Sequence, residues 1–538
     1  MKGLAFLCCA FCAALSLSAV NWDGASISGT TPGGRMCFGF GEEIVLTLQL
    51  EGVDEPLPAE TYFVDWERRG DDGKRESGRV ALPFPTGGHV IRTSSDTPGW
   101  VLVEANVVDK AGKRVPKNHP WEKRVFFQGG ALVAPGEIPM AEEPRDFDAF
   151  WSGCLKELSK VPLAADVKPV ESSDVAVKLY AVSIACAGPR PVTGWLSVPV
   201  DASASNRLPI EACFRGASHD DLAIPKELPH DRIYMIVSAN GFELGKGAEY
   251  VKQFFASICK PGFEYGFDPE SNRSRETSYW KYCALRAVRY VQWLKTLPEW
   301  DGKNLTLTGG SQGDWQAYWA AAFVPGVTKM NANGSWGCDW KGQSTLGRIK
   351  STYRPGCWFD DMAYFDPVFL AKRITCPVDI AFAGLGDTCS TPDSLTLVYR
   401  NLRGPKSITY VQGSTHGWRP DAVQRKTYRA KATEDPLDSV RRRLAKGVRS
   451  IEFKKDLYTL APKGKDAYLK LDGVSNVTID FGGSELRGLK HLGFFRLINC
   501  TNVTIRNVTL DYAELPFTQA KILSRSADGT LEVKVLEG

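Results

Sequence analysis

The chain has 538 residues, of which 43% are hydrophobic and 24% charged, and its formal net charge is +4. These proportions are ordinary for globular proteins, and the length predicts three or four domains. A small positive charge over this length, without a cluster of lysine and arginine interleaved with aromatic residues, excludes nucleic acid and other polyanions as partners.

The first segment, residues 1–19, has the pattern of a secretory signal peptide. Lys2 is followed by an apolar run from Leu4 to Leu15, and small residues suited to cleavage occupy 16–19. The apolar run is too short to cross a membrane comfortably, and no later segment of the sequence approaches that length. We therefore predict a secreted or periplasmic protein without a membrane span.

Residues 20–134 are predicted to form a β-sandwich domain of immunoglobulin-like size. Polar and apolar residues alternate with period two in segments 41–50 and 99–108, and turn-forming clusters separate the strands. No catalytic constellation occurs in this region, so we expect it to act in spacing or docking. The segment 135–139, Pro-Gly-Glu-Ile-Pro, marks the linker into a central domain predicted to span 135–420.

The most informative motif is Gly309–Gly313, Gly-Gly-Ser-Gln-Gly, in which Ser311 stands between two glycines. An apolar strand, 305–308, precedes it and a helix-forming run, 314–322, follows it. A nucleophile elbow has this arrangement, because the strand-to-helix turn is so tight that a Cβ at either flanking glycine would clash. The motif predicts that Ser311 is a nucleophile and that the following amides face a developing oxyanion.

An acid and a histidine follow in the chain order Ser, Asp, His that this architecture uses. The segment 376–384 has the pattern of a buried parallel strand, and Asp387 follows at its carboxyl end, where open α/β sheets carry catalytic acids. A second short strand, 407–411, leads to His416, one of only six histidines in the chain. The joint order predicts a catalytic triad in an α/β-hydrolase domain.

Several ordered segments of the central domain resemble the acetyl xylan esterase / cephalosporin-C deacetylase family of α/β-hydrolases. They are 144–151, 309–313, 364–367 and 384–388. The resemblance implies that Ser311 is the nucleophile, that His416 is the general base and then acid, and that Asp387 orients its imidazole. It also implies an oxyanion hole made by the backbone N–H groups of Gln312 and Ala217. The mechanism needs no cofactor, and no cysteine or histidine grouping has the spacing of a zinc site.

The sequence departs from this family at two places near the elbow. Arg215, Gly216 and Ala217 replace a His-Gly-aromatic element, and Asp314 replaces a glycine. Backbone amides do not depend on side-chain identity, so the oxyanion hole can survive. An inward Asp314 carboxylate would oppose the oxyanion, whereas at the helix start it would face the positive end of the dipole. A non-catalytic glycan-binding protein built on a degenerate hydrolase therefore stays open as an alternative.

The tail after residue 420 changes in character. Residues 421–446 are basic and helix-compatible apart from a break at Pro436, which predicts a helical linker. The segment 475–480 then recurs as 501–506, an offset of about 26 residues that is typical of stacked coils. Residues 447–538 resemble the opening turns of right-handed parallel β-helices in pectin-lyase-like proteins and some glycoside hydrolases, and we predict an incomplete β-helix.

Two aspartates of this tail bear on function. Asp480 and Asp511 could be the carboxylates of a β-helix glycosidase, although turn aspartates are common at strand ends of solenoids. A bifunctional polysaccharide-degrading enzyme, whose main activity is a β-helix glycosidase or lyase, is therefore a second alternative.

The preferred hypothesis is a secreted carbohydrate esterase that removes acetyl groups from acetylated plant-type polysaccharides or oligosaccharides. The tryptophan-containing segments 335–340 and 357–359 could stack on sugar rings or fill the core. A chain ending near residue 420 is expected to keep the esterase, because the predicted triad and both oxyanion donors precede that point.

Overall fold

The computed structural model describes residues 20–53, 56–119, 122–263, 265–342, 344, 346–347, 360–420, 423–460, 462–512 and 519–537. The predicted leader, residues 1–19, lies outside these ranges. Within them, the chain forms a pair of facing sheets, a ten-stranded mixed sheet with helices, and a stack of parallel strands. Among these residues, no helix combines the length and the apolar character needed to cross a membrane.

The N-terminal unit consists of two sheets that share one core. Its strands are β1 (Ser26–Thr30), β2 (Cys37–Phe38), β3 (Ile44–Glu51), β4 (Tyr62–Gly70), β5 (Arg75–Ala81), β6 (His89–Thr93), β7 (Gly99–Asp109) and β8 (Phe126–Val133), with a 3-10 turn at Pro32–Gly34. The sheet orders are β1-β3-β6 and β2-β8-β7-β4-β5. Period-two alternation buries Leu46 and Leu48 of β3 against Val103 and Val107 of β7. Both predicted strands are present, as β3 and β7, while the immunoglobulin-like assignment stays a prediction.

The central unit alternates strands and helices. Its strands are β9 (Ala165–Val170), β10 (Val177–Ile184), β11 (Val192–Pro199), β12 (Leu208–Phe214), β13 (Ile233–Ser238), β14 (Trp300–Thr308), β15 (Lys329–Ala332), β16 (Val378–Gly384), β17 (Lys406–Val411) and β18 (Arg425–Ala430). Its helices are α1 (Phe147–Ser159), α2 (Gly247–Ile258), α3 (Tyr279–Leu294), α4 (Gln312–Phe323), α5 (Pro367–Leu370) and α6 (Pro392–Asn401), with 3-10 turns at Asp360–Phe365 and Ala371–Arg373.

These strands form one sheet in the order β18-β17-β16-β15-β14-β12-β13-β11-β10-β9. The middle strands, from β13 to β17, are parallel, and antiparallel strands extend the sheet at both edges. Parallel neighbours need a crossover, and the helices provide it. The predicted α/β-hydrolase fold is confirmed, and the carboxyl ends of β14, β16 and β17 carry the predicted site residues.

Helix α4, which follows the elbow, is buried along most of its length. Its Trp315 and Trp319 pack with Trp280 of α3, with ring centroids 4.5 Å apart for Trp280 and Trp315. Trp336 and Trp340 complete this cluster and are only 6% and 3% exposed. Of the two roles considered for segment 335–340, the structure therefore supports core packing. The other segment, 357–359, lies outside the described residues.

The C-terminal unit begins with helix α7 (Pro436–Ala445) and continues as stacked strands. They are β19 (Ser450–Glu452), β20 (Leu457–Leu460), β21 (Ala467–Asp472), β22 (Ser475–Gly488), β23 (Gly493–Ile498) and β24 (Thr501–Tyr512), followed by an antiparallel hairpin of β25 (Gln519–Arg525) and β26 (Leu531–Glu537).

The sequence repeat of this unit corresponds to parallel strand pairing. Val477 and Ile479 of β22 lie opposite Val503 and Ile505 of β24, which is the predicted offset of 26 residues. Strands β19 and β20 pair with β22 in parallel, as β21 does with β23. Because the repeat places equivalent apolar residues in register, Ile451 and Ile479 are buried between coils. The predicted parallel coils are present, and their assignment to right-handed β-helices stays a prediction.

The expected helical linker over 421–446 is wrong for its first half. Residues 425–430 form β18, which pairs antiparallel with β17 at the edge of the central sheet. Tyr428 packs against Tyr410, with ring centroids 5.6 Å apart, and the flanking basic side chains remain exposed. Charged side chains are common on edge strands, where they discourage pairing with other chains. The central sheet therefore extends beyond the predicted boundary at 420, and only α7 is helical.

A buried ionic cluster joins the coils to the central unit. Arg373 donates to Glu143 (2.8 Å) and to Asp148, Lys372 lies 3.3 Å from Glu143, and Arg487 of β22 lies 3.2 Å from Glu143. Burial raises the pKa of Glu143, but Arg373 and Lys372 outweigh it and lower that pKa to about 2. Glu143 is therefore ionised at neutral pH, and the buried charges compensate one another.

The position of β18 changes the expected effect of truncation. A chain ending at 420 lacks the strand that pairs with β17, whereas a chain ending at 433 keeps it together with the Thr433 N–H to Arg403 carbonyl bond. We expect the shorter chain to unfold at a temperature lower by at least about 4 °C, because it leaves the edge of β17 unpaired. Thermal unfolding followed by circular dichroism measures the difference. Equal midpoints would contradict the assignment of β18 to this unit.

Candidate active site

The turn between β14 and α4 has the geometry of a nucleophile elbow. Ser311 has φ 56° and ψ −121°, a strained conformation for a residue with a side chain. A Cβ at Gly309 would lie 2.6 Å from the Gly313 carbonyl carbon, and a Cβ at Gly313 would overlap the Phe214 carbonyl oxygen. The absence of side chains at these two positions is therefore what allows the turn to close.

The loop after β15 holds this turn through backbone hydrogen bonds. The Ser311 N–H donates to the Gly334 carbonyl (3.1 Å), and the Trp336 N–H donates to the Ser311 carbonyl (3.1 Å). Ser311 thereby forms a short parallel bridge with Ser335. The Asn333 side-chain amide also donates to the Gly309 carbonyl at 2.9 Å. Nothing in the sequence around 333–336 indicated that this loop would support the elbow.

The structure brings together the three residues predicted to form the triad. His416 Nε2 lies 2.9 Å from Ser311 Oγ, and His416 Nδ1 lies 3.0 Å from Asp387 Oδ2. Because an ionised carboxylate only accepts hydrogen bonds, Nδ1 of a neutral imidazole carries the proton and Nε2 accepts from the Ser311 hydroxyl. The Asp387 side chain is 1% exposed and that of His416 is 31% exposed. The buried acid, the histidine and the accessible serine therefore form a hydrogen-bonded series that can activate the serine hydroxyl.

The acid loop orients the Asp387 carboxylate by backbone donors. Its Oδ1 accepts from the N–H groups of Cys389 (2.8 Å) and Ser390 (2.9 Å), so that Oδ2 is left to face His416. These bonds form because Asp387 lies in the turn between β16 and α6, at the carboxyl end of a parallel strand.

Asp387 also changes the proton affinity of the histidine. Burial lowers the pKa of His416, but the hydrogen bonds and charges of Asp387 and, to a smaller extent, of Cys389 outweigh burial, and the net pKa of His416 is above its usual value. A neighbouring carboxylate favours the imidazolium, the form that a general base acquires after it accepts a proton.

The two predicted oxyanion donors belong to segments that meet beside Ser311. Gly216, next to Ala217, approaches so closely that a Cβ there would lie 3.2 Å from the Gly310 carbonyl oxygen and 4.0 Å from Ser311 Cβ. Gln312 is 3% exposed, and its Oε1 accepts from the Tyr265 hydroxyl at 2.8 Å. The described geometry thus brings the Ala217 loop and the start of α4 together next to the serine.

The residues that depart from the family pattern make contacts away from the Ser311 hydroxyl. Arg215 donates to the Asp221 carbonyl (2.5 Å) and to the Ser218 hydroxyl (2.9 Å). Asp314 is fully buried, and its Oδ2 accepts from the Asn333 N–H at 2.6 Å. Burial raises the pKa of Asp314 to about 8, so its carboxyl group is largely protonated at neutral pH. The negative charge on Asp314 that would oppose the oxyanion is therefore largely absent at neutral pH.

Other residues support the site without having been recognised from the sequence. The Trp100 indole donates to the Leu385 carbonyl (3.0 Å), and Gln412 exchanges two hydrogen bonds with Gly130. These partners are 285 and 282 residues apart in the chain. No short-range pattern could have identified them, because each bond joins the N-terminal unit to the central one.

The two aspartates considered for a second activity have structural contacts. Asp480 accepts from Arg506 (2.8 Å) and Asn507 (3.0 Å) on the next coil, and Asp511 accepts from the Tyr512 N–H (2.8 Å). The first two bonds join neighbouring coils, and the third is a local bond within β24. Elsewhere, a cavity of about 550 Å³ between the central unit and the coils is lined by residues such as Trp151, and none of the predicted triad lines it. In the part of the chain that the structure describes, no group of three metal-ligating side chains occurs.

Comparison with known proteins gives consistent relationships for the central unit. A family model described as "Acetyl xylan esterase (AXE1)" matches residues 138–433, more than half of the chain. A curated relative, the acetyl esterase Axe7A of Xylanibacter ruminicola, is 30% identical over 284 residues, which are 50% of this chain and 62% of the relative. The chain therefore spans less than two thirds of the length of that relative.

Two solved structures are each similar to 53% of the chain. An acetyl xylan esterase from Paenibacillus sp. R4 has a TM-score of 0.44 and 20% identity, covering 53% of this chain and 94% of its own. Acetyl xylan esterase 1 from Thermoanaerobacterium sp. JW/SL YS485 has a TM-score of 0.46 and 17% identity, covering 53% of this chain and 93% of its own.

The elbow geometry predicts a large difference between two glycines of the same motif. Gly313→Ala should lower the free energy of unfolding by about 1–3 kcal/mol, because the added methyl overlaps the Phe214 carbonyl and overrides the helix preference of alanine. Gly310→Ala is the matched control, since its nearest neighbour would be Asn333 Cβ at 3.7 Å. Urea unfolding of both variants measures the costs. Equal costs would contradict the close approach at Gly313.

Proposed function

Because the chain belongs to the acetyl xylan esterase family, we propose that it is a carbohydrate esterase that removes acetyl groups from acetylated plant-type polysaccharides or oligosaccharides. The observation that carries the proposal is the contact of His416 with both Ser311 and Asp387, at 2.9 Å and 3.0 Å, beside a strained elbow. This geometry matches the arrangement required to activate a serine hydroxyl for attack on an ester. The family membership favours acetyl as the acyl group.

In the proposed first step, the Ser311 oxygen attacks the carbonyl carbon of the acetyl ester. The serine proton passes to His416 Nε2, and Asp387 stabilises the resulting imidazolium. The negative charge on the carbonyl oxygen is met by the backbone N–H groups of Gln312 and Ala217, which are the proposed oxyanion donors. Collapse of the intermediate breaks the bond to the sugar oxygen, which leaves as an alcohol after it takes the proton from His416.

In the second step, water attacks the acetyl-serine ester while His416 accepts one of its protons. The tetrahedral intermediate uses the same two backbone donors, and its collapse returns the proton from His416 to Ser311 and releases acetic acid, which ionises in solution to acetate and a proton. Atoms and charges balance without any cofactor, so the acetylated carbohydrate and water are the only reactants proposed. Export from the cytoplasm is a further part of the proposal, and it rests on the leader-like sequence of residues 1–19.

Substitution of the nucleophile tests the proposal directly. Ser311→Ala should lower hydrolysis of p-nitrophenyl acetate and of acetylated xylan oligosaccharides by about four orders of magnitude or more, because it removes the hydroxyl on which the proposed acyl-enzyme forms. Ser335→Ala is the control, since Ser335 is buried beside Ser311 and its hydroxyl donates to the Trp336 carbonyl at 3.0 Å. Its activity should change by less than about tenfold. Activity retained in Ser311→Ala would overturn the assignment, and a wild-type protein inert toward acetyl esters and fluorophosphonates would favour the non-catalytic alternative.

The pH dependence tests the role of His416. Only the neutral imidazole can accept the Ser311 proton, so kcat/KM should rise with pH through the pKa of His416. Because Asp387 raises that pKa, the inflection should lie above about 6.5, the ordinary histidine value. Asp387→Asn should move the inflection to lower pH and decrease kcat by about four orders of magnitude.

A neighbouring aspartate provides the control for this profile. Asp379 lies on the same strand, β16, but its carboxylate accepts from the Ser407 hydroxyl at 2.6 Å. Asp379→Asn should therefore leave the inflection unchanged. An inflection that is the same in wild type and in Asp387→Asn would argue against a histidine base paired with Asp387.

A further inference from the structure

The N-terminal sheets do not stand apart from the active site. Trp100, Leu102, Leu132 and Met36 of this unit belong to the hydrophobic core of the central unit, whereas the core between the two N-terminal sheets is a separate cluster. The outer face of the five-stranded sheet is therefore buried against the hydrolase. It meets the loops that follow β16 and β17, which carry Asp387 and His416.

The acid loop contacts the N-terminal sheet directly. The Trp100 Nε1–H donates to the Leu385 carbonyl at 3.0 Å, and both residues are fully buried. At Gly386 the backbone lies so close to β8 that a Cβ would overlap the Gln128 carbonyl oxygen. These contacts fix the backbone of the two residues immediately before Asp387.

The base loop has an equivalent attachment. Gln412, which is fully buried, accepts from the Gly130 N–H at 2.8 Å and donates to the Gly130 carbonyl at 2.7 Å. The side-chain amide thus forms both hydrogen bonds that a neighbouring strand would otherwise form with Gly130. Gln412 is four residues before His416 and lies at the end of β17.

The two loops are also joined to each other. The Leu385 N–H donates to the Val411 carbonyl at 2.8 Å, and the Gly386 N–H donates to the Ser414 carbonyl at 3.0 Å. Consequently, a displacement at either attachment is transmitted to both loops. The distance between Asp387 and His416 therefore depends on how both loops are held.

We propose that the N-terminal β-sheet unit is a positioning element of the esterase, which uses Trp100 and Gln412 to hold the acid and base loops in register. Both are positioning residues, because neither contacts the reacting atoms. The inference rests on the proposed function of Ser311, Asp387 and His416. It assigns a catalytic consequence to a domain expected from its sequence to serve only in spacing or docking.

A second glutamine provides a matched control. Gln424 makes the same kind of double hydrogen bond to the N-terminal unit, accepting from the Thr31 N–H at 2.8 Å and donating to the Thr31 carbonyl at 3.0 Å. It precedes edge strand β18 and follows His416 by eight residues. Gln412→Met and Gln424→Met therefore each remove a pair of side-chain hydrogen bonds between the same two units. The Gln412 N–H also donates to the Gln424 carbonyl at 3.0 Å, a backbone bond that both variants keep, and of the two residues only Gln412 lies in the segment between β17 and His416.

The experiment compares kcat, KM and the thermal midpoint of the full-length variants on p-nitrophenyl acetate, below the lowest unfolding transition. For Gln412→Met we expect kcat to fall by about 10- to 100-fold with KM within about twofold, since a small misplacement of a catalytic group costs rate rather than binding. For Gln424→Met we expect kcat within about twofold of wild type. Equal kcat in both variants, or an activity loss that matches the unfolded fraction, would overturn the proposal.

A tryptophan pair supplies an independent comparison, and it decides the question if Gln412→Met does not fold. Trp100→Phe keeps an aromatic ring but removes the donor to the Leu385 carbonyl, whereas Trp22→Phe alters only the core between the N-terminal sheets. We expect Trp100→Phe to lower kcat and the labelling rate of Ser311 by a fluorophosphonate by about tenfold or more, and Trp22→Phe to change neither. Unchanged kcat in Trp100→Phe would contradict the inference, while the Ser311→Ala result tests the esterase function separately.

Discussion

The strained backbone at Ser311 is the constraint on which the rest of the structure depends. A positive φ at a residue with a side chain costs about 1–3 kcal/mol and persists only where surrounding contacts maintain it. The maintaining contacts come from several directions. Phe214 at the end of β12 closes against Gly313, and the loop carrying Gly334 and Trp336 bonds to the main chain of Ser311. Parallel strands with their carboxyl ends at one edge bring these segments together.

The acid and base loops depend on the same sheet edge but need further support. Loops at the end of parallel strands have few regular backbone partners, so their conformation depends on the bonds they find. In this protein, Asp387 is held by the amides that follow it, and the backbones before Asp387 and His416 bond to each other. The sheet of the N-terminal unit covers this junction, with Trp100 and Gln412 making the closest polar links. Residues of the N-terminal sheet and of the central unit therefore together hold the loops that carry Asp387 and His416.

The C-terminal coils are attached by a different kind of interaction. Glu143 is buried among Arg373, Lys372 and Arg487, and an isolated charge in that position would carry a large desolvation cost. Arg373 and Lys372 already pair with Glu143 within the central unit, whereas Arg487 reaches Glu143 only when the coils are docked, so this added ion pair favours one relative arrangement of the two. Because these ion pairs include Asp148 of α1 and none of Ser311, Asp387 and His416, the interface bears on assembly of the chain rather than on the chemistry of the elbow.

The sequence by itself determined the features that depend on local pattern. The elbow was predicted from the glycines around Ser311, the strand before it and the helix after it. The register of Val477 with Val503 follows from a repeat in the amino-acid sequence. Only the tertiary structure decided the features that depend on partners distant in the chain. Residues 425–430 became a strand because β17 offered an unpaired edge, overriding their helix-compatible composition. Asp314 is largely protonated at neutral pH because distant segments bury it, and Gln412 bonds to Gly130 because the N-terminal sheet packs beside it. Both features depend on segments far away in the chain, which no local pattern encodes.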